Sequence, residues 1–125
     1  MSDQAFKGRR VLVVEDEMMI AMLVEDMLME LGCSVVGPAH AVNEALALAC
    51  ADQALDAALL DVNLAGEPVF AVADALRAIG VPAIFSTGYG AADLRAVDRG
   101  SPVLQKPFRA GDLARALGEA FGSAG

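Results

Sequence analysis

Four short apolar runs punctuate the chain: VLVV at Val11 to Val14, AALL at Ala57 to Leu60, AIF at Ala83 to Phe85 and PVL at Pro102 to Leu104. Each is bounded by charge, glycine or proline, and none alternates with polar residues, which is the pattern of strands buried on both faces. Ser34 to Gly37, with two valines, is a weaker fifth. Between the runs, apolar residues recur with helical spacing over Glu17 to Leu31, Ala41 to Ala51, Pro68 to Ile79, a short Ala91 to Val97, and Gly111 to Phe121. Gly32, Gly80 and Gly122 stand where a helix C-terminus favours positive φ. Strand and helix thus alternate five times, and right-handed crossovers turn that alternation into an α/β fold: a doubly wound five-stranded parallel sheet flanked by five helices. A sheet covered on both faces needs ample apolar surface, and 56% of the 125 residues are hydrophobic against 21% charged. We expect one domain over residues 1–125 with an ordered core of about 9–121, and frayed ends at Met1 to Gly8 and Gly122 to Gly125.

The formal charge of −8 and the absence of any Lys or Arg run argue against nucleic acid as a partner, because phosphates demand a basic face. No apolar stretch reaches the ~18 residues of a membrane span, and the start, MSDQAFKGRR, lacks a signal-type apolar core. The expectation is a soluble, cytoplasmic protein without a membrane partner. Cys33 and Cys50 lack the spacing of a zinc site and are expected to be buried or partly buried thiols.

Ligands of an open parallel sheet sit beyond the C-terminal ends of its strands. The residues found there are polar: Glu15 and Asp16 after the first strand, Asp61 after the third, Ser86 and Thr87 at the fourth, Lys106 and Pro107 after the fifth. Taken singly, each has a plain structural role, as a turn cap, a polar strand end or a solvated lysine. In register, they converge on one pocket. Three carboxylates brought together repel one another unless they share protons or hold a divalent cation, and magnesium suits hard oxygen ligands. A lysine and a hydroxyl across the same pocket supply a charged and a neutral donor for a phosphoryl group.

This arrangement resembles the receiver domain of two-component response regulators, with its flavodoxin-like fold. The resemblance rests on VVEDE, LLDVNLAG, STG and QKPF in that order, and covers nearly the whole chain. It implies that Asp61 is the phosphoacceptor and that Asp16 and Asp61 bind Mg2+ directly. Glu15 would act directly or through water, and the main-chain carbonyl of Asn63 would complete the metal shell. Thr87 and Lys106 would hold the phosphoryl oxygens, Lys106 would pair with Asp61 beforehand, and the peptide before Pro107 would be cis. The implied protein is a signalling phosphoacceptor in a phosphorelay, not an enzyme beyond its own phosphorylation and dephosphorylation. Its phosphoryl donor would be a histidine kinase or phosphotransfer protein. Its output would be contact with a further protein, and with no output domain after Phe121 a phosphate sink or relay intermediate is the alternative.

FSTGYG at Phe85 to Gly90 resembles the single-domain subgroup with a Phe-Ala-Thr-Gly-x-Tyr type motif, with Ser86 in place of the alanine and Tyr89 one place early. That subgroup implies a kinase of the HWE or a related class. Most receivers carry an aromatic three places before the lysine; here it is Val103, so switching is expected in the loop and short helix from Gly88 to Val97. In the first helix, Ile20, Leu23, Val24, Met27, Leu28 and Leu31 share an expected core face, leaving Met18, Met22 and Met29 as an adaptable docking surface. His40 is expected to be exposed and without a catalytic role. A small magnesium-dependent phosphatase of the haloacid dehalogenase type would need a second Asp where Asn63 stands. A flavin binder would need a phosphate loop where Glu15, Asp16 and Glu17 repel anions.

Overall fold

The computed structural model describes residues 6–51, 54–64 and 66–124. In chain order these form β1 (Arg10–Val14), α1 (Met18–Glu30), β2 (Ser34–Ala39), α2 (Val42–Ala51), β3 (Ala57–Asp61), β4 (Asn63–Leu64), β5 (Glu67–Pro68), α3 (Phe70–Ala78), β6 (Ala83–Thr87), β7 (Val103–Gln105) and α4 (Ala110–Ala124). All five expected strands join one sheet in the order β2-β1-β3-β6-β7. Every pairing in it is parallel, and the register sets Val14 beside Leu60 and Asp61 beside Ser86. The chain passes from β1 outward to β2 and then back across to β3. The strand order therefore reverses between β1 and β3, where a crevice opens at the strand ends. The short β4 and β5 form a separate antiparallel pair beyond β3.

Alternation along the strands divides the core into two layers. Leu12, Leu60 and Phe85 meet Ala45 of α2 and Val72 and Leu76 of α3 on one face. Val11, Val13, Leu59 and Ile84 meet Leu28 of α1 and Leu117 of α4 on the other. Gly32 and Gly80 take positive φ as helix stops, at 94° and 75°. Gly37 does so within β2, at 95°, where an added Cβ would stand 2.8 Å from the Ala39 nitrogen and 3.1 Å from the Val13 oxygen. No other residue type fits that bend.

Among the described residues the five helices expected to flank the sheet are corrected to four. Ala91 to Val97 does not make a helix; it is two 3-10 turns, Gly90–Asp93 and Ala96–Asp98, with Arg95 extended between them. The side chains that would have lined a helix instead tie the segment down at both ends. Asp98 is wholly buried and accepts from Arg77 of α3 and, at 2.7 Å, from Arg95. Arg95 also reaches Asp74 at 2.7 Å and lies 4.6 Å over the Phe70 ring.

At the chain ends, residues 6–8 are not frayed: Phe6 packs on Phe121 with ring centroids 5.8 Å apart, and the Gly8 N–H donates to the Gly32 carbonyl at 2.9 Å. Helix α4 runs through Gly122, which does not take positive φ. The rest of the expected fraying falls on residues 1–5 and 125, outside the described residues. Cys33 is buried, which raises its thiol pKa, whereas Cys50 is exposed on α2. In α1 the buried residues are Ala21, Val24 and Leu28, while Leu23 is 58% exposed. Leu23 is the edge of the expected core face, and it lines an apolar groove of about 310 Å³ with Ile20, Val24, Met27, Pro107 and Phe108.

Candidate functional site

Glu15 and Asp16 follow β1 directly, and Asp61 is the last residue of β3, so the two strands at the reversal of sheet order deliver three carboxylates to one place. One oxygen from each lies within 4.8 Å of the others. Glu15 is 4% exposed and Asp61 7%. Glu15 is fixed from both sides of its backbone: its N–H donates to the Ala39 carbonyl at 2.9 Å, and its carbonyl accepts from His40 Nδ1 at 2.9 Å. Because a carbonyl can only accept, the imidazole carries its proton on Nδ1. His40 is thus half-buried support for the site, contrary to the exposed residue expected.

Lys106 supplies the positive charge. Its ammonium donates to Glu15 Oε1 at 3.1 Å and to Asp61 Oδ2 at 3.2 Å, the second being the pairing the resemblance implied. The Lys106–Pro107 peptide is cis, also as expected. The remaining carboxylate oxygens accept main-chain donors: Glu15 Oε2 from Glu17 N–H at 3.1 Å, and Asp61 Oδ1 from Asn63 N–H at 3.3 Å. Burial pushes the Glu15 carboxyl up to about 7, with the Asp61 charge adding to it and the Glu17 amide and Lys106 opposing. Burial also works against the Lys106 charge, but its hydrogen bond to Glu15 and the charges of Asp61 and Glu15 prevail and raise its pKa. Lys106 therefore keeps its positive charge between the two carboxylates. Glu15, Asp16 and Asp61 are all hard oxygen donors, a set that suits magnesium in preference to a softer metal.

Thr87 lies on the other flank of Asp61. It is 2% exposed at the end of β6, and its hydroxyl donates to the carboxylate of Asp93 while accepting from the Tyr89 N–H at 3.0 Å. Asp61, Asn63, Thr87, Tyr89 and Asp93 line one cleft of about 320 Å³. Lys106 borders the apolar groove beside α1 instead. Gly90 takes positive φ at 79°, whereas Gly88 does not. On β7, Val103 pairs with the fully buried Phe85 of β6.

Glu15, Asp16 and Asp61 thus stand together at the strand ends with Lys106 bonded to two of them, and Asn63 and Thr87 share the cleft on the other flank of Asp61. Sequence reasoning missed Asp93 and His40. Asp93 follows Thr87 by six residues, and only the turn at Gly90 brings it back to the hydroxyl. His40 directly follows β2, the strand beside β1, a position that could have marked it as a neighbour of Glu15.

The family model described as response regulator receiver domain matches residues 11–118. SdrG from Sphingomonas melonis Fr1, solved in solution, is 42% identical, with a TM-score of 0.80 over 94% of this chain and 97% of that one. The phyllosphere-induced regulator PhyR from Methylorubrum extorquens is 32% identical over 115 residues, 89% of this chain and 43% of PhyR. The chain therefore spans less than half the length of that curated relative. The receiver domain of sensor histidine kinase PA1611 from Pseudomonas aeruginosa PAO1 is 28% identical, with a TM-score of 0.76 over 92% of this chain and 98% of that one. It carries a magnesium ion coordinated in its active-site cleft.

Proposed function

The chain belongs to the response regulator receiver domain family, and from that premise we propose that it accepts a phosphoryl group on Asp61 and signals by contact with another protein. The observation that carries this reading is Asp61 at the end of the central strand, bonded to Lys106 at 3.2 Å and grouped with Glu15 and Asp16. We assign the donor as a phosphohistidine of a histidine kinase, of the HWE or a related class given the FSTGYG motif, or of a phosphotransfer protein. A carboxylate oxygen of Asp61 attacks phosphorus, the P–N bond breaks, and the imidazole leaves with the electron pair and takes up a proton. Lys106 follows the negative charge from the free carboxylate to the transferred oxygens. Glu15, Asp16, Asp61 and the main-chain carbonyl of Asn63 would hold Mg2+, which when bound neutralises charge on those oxygens. Thr87 offers its hydroxyl from the opposite flank. Water later attacks phosphorus, returning the carboxylate and inorganic phosphate.

The exposed Met18, Met22 and Met29 of α1 supply an adaptable apolar surface on which the donor can seat. Among the described residues no helix is long and apolar enough to cross a membrane. The test is acetyl phosphate or phosphoramidate with magnesium, followed by intact mass. One phosphoryl group should be added to the wild type and none to Asp61→Asn; undiminished labelling of that variant overturns the assignment.

A further inference from the structure

The hydroxyl of Thr87 has one proton and two lone pairs. The proton is given to Asp93 Oδ2, and one lone pair receives the Tyr89 N–H at 3.0 Å. A phosphoryl oxygen is an acceptor, so it needs the proton that Asp93 holds. We propose that Asp93 is a positioning residue for the phosphoryl site: it keeps the Thr87 hydroxyl turned away from Asp61 until a phosphoryl group wins it. This rests on the reading of Asp61 as phosphoacceptor.

Three further features support the assignment. A hydrogen bond to a carboxylate is roughly twice as strong as one between neutral groups, and Thr87 at 2% exposure has little water to turn to instead. Asp93, Asp61 and Thr87 line the same cleft, so the Asp93 carboxylate and the transferred oxygens repel one another. Asp93 makes no ion pair among the described residues, so its charge is not already matched by a cation.

Displacing Asp93 also has a built-in direction. The following turn is clamped by the wholly buried Asp98, bonded to Arg77 and Arg95, and by Arg95 on Asp74. Release therefore moves Gly88 to Asp93 and leaves Arg95 to Asp98 in place. The threonine is coupled to a carboxylate on its own loop, in a molecule where Val103 provides no ring on β7 for it to draw inward.

Beryllofluoride with magnesium is the probe, titrated against the full chain by heteronuclear NMR. Removing a charge-assisted competitor is worth about tenfold or more in an equilibrium constant, so Asp93→Ala should bind beryllofluoride about tenfold more tightly than wild type. Its Tyr89 amide should already be displaced toward the bound position without the probe. Asp93→Asn, which keeps the side-chain volume but weakens the acceptor, should shift both readouts the same way by less, and it serves as the measurement should the alanine variant fold poorly. The gain from Asp93→Ala should vanish in a Thr87→Ala background and persist in Thr87→Ser. An unchanged or weaker affinity in both Asp93 variants overturns the proposal, as does an equal gain without the Thr87 hydroxyl, which would mean simple charge removal. Beryllofluoride binding that survives Asp61→Asn would instead bring down the phosphoacceptor reading.

Discussion

Replacing Lys106 by methionine tests the electrostatics of the pocket, because the stem is kept and only the charge is lost. The ammonium sits 3.1 Å from Glu15 and 3.2 Å from Asp61, both nearly inaccessible. Removing one member of a buried ion pair costs about 3–5 kcal/mol. Two features reduce that here: the Lys106 side chain retains 21% exposure, and Glu15 can shed its charge by binding a proton. We expect a loss of about 2–3 kcal/mol at pH 8 in chelator, or roughly 10 °C in Tm. The sign of the pH dependence follows from Glu15, whose carboxyl is raised from its ordinary 4.5 to about 7. Between those values the folded state binds the extra proton, so its contribution to stability is present below about pH 4.5 and is lost as pH rises through about 7. Lys106→Met removes a group that holds this carboxyl down, so the penalty should be smallest near pH 5 and largest above neutrality. Magnesium supplies the missing positive charge and should stabilise the variant more than the wild type. The chain has no Trp and one Tyr, so urea unfolding is best followed by far-UV circular dichroism, at pH 5 and pH 8, with chelator and then with magnesium. Equal unfolding midpoints for the two proteins at pH 8 in chelator, or a penalty that does not change with pH, would refute the reasoning.

Asp16→Asn should weaken magnesium binding and phosphorylation by acetyl phosphate together, about tenfold or more, while Glu15→Gln does less; equal magnesium affinity in wild type and Asp16→Asn, read by calorimetry, would refute the proposed ligand set. Changing both Met18 and Met22, which are 65% and 56% exposed, to Glu should slow transfer from a phosphorylated kinase while sparing acetyl phosphate, and loss of both would mean that these residues support the fold. Amide resonances of Gly88 to Asp93 should shift most on adding beryllofluoride with magnesium. Sharp and unmoved signals there, with shifts elsewhere, would place the switch outside this segment.

The sheet was legible because its strands are covered on both faces, so each registers as an unbroken apolar run such as AALL before Asp61. The pocket was legible for a related reason. Sheet topology gathers strand ends, and Glu15, Asp16, Asp61, Thr87 and Lys106 each stand at or just after one. What escaped depended on long side chains choosing partners across the fold. Ala91 to Val97 has helical spacing, yet Asp93 is spent on Thr87 and Arg95 on Asp74 and Asp98, and these bonds outcompete a helix too short to nucleate well. Leu23 was misjudged because α1 lies at the rim of the fold: it buries Ala21, Val24 and Leu28 fully and packs Ile20, Met27 and Leu31 against the core in part, and Leu23 falls outside that stripe. Phe6 looked like part of a loose tail because nothing near it in sequence is apolar enough to hold it, and its partner Phe121 is at the far end of the chain.

Asp61 stands on a watershed. Lys106 reaches it from the side that carries α1 and the apolar groove, and Thr87 with Asp93 stands on the side toward α3. A protein seated on the first slope would touch the stem of the lysine and leave the Thr87 loop free to move. A protein reading the second slope would grip that loop without covering the groove. Delivery and readout would then have separate approaches to one carboxylate, so a donor and a reader could occupy the same molecule at once. Surface changes could tune one traffic lane without closing the other.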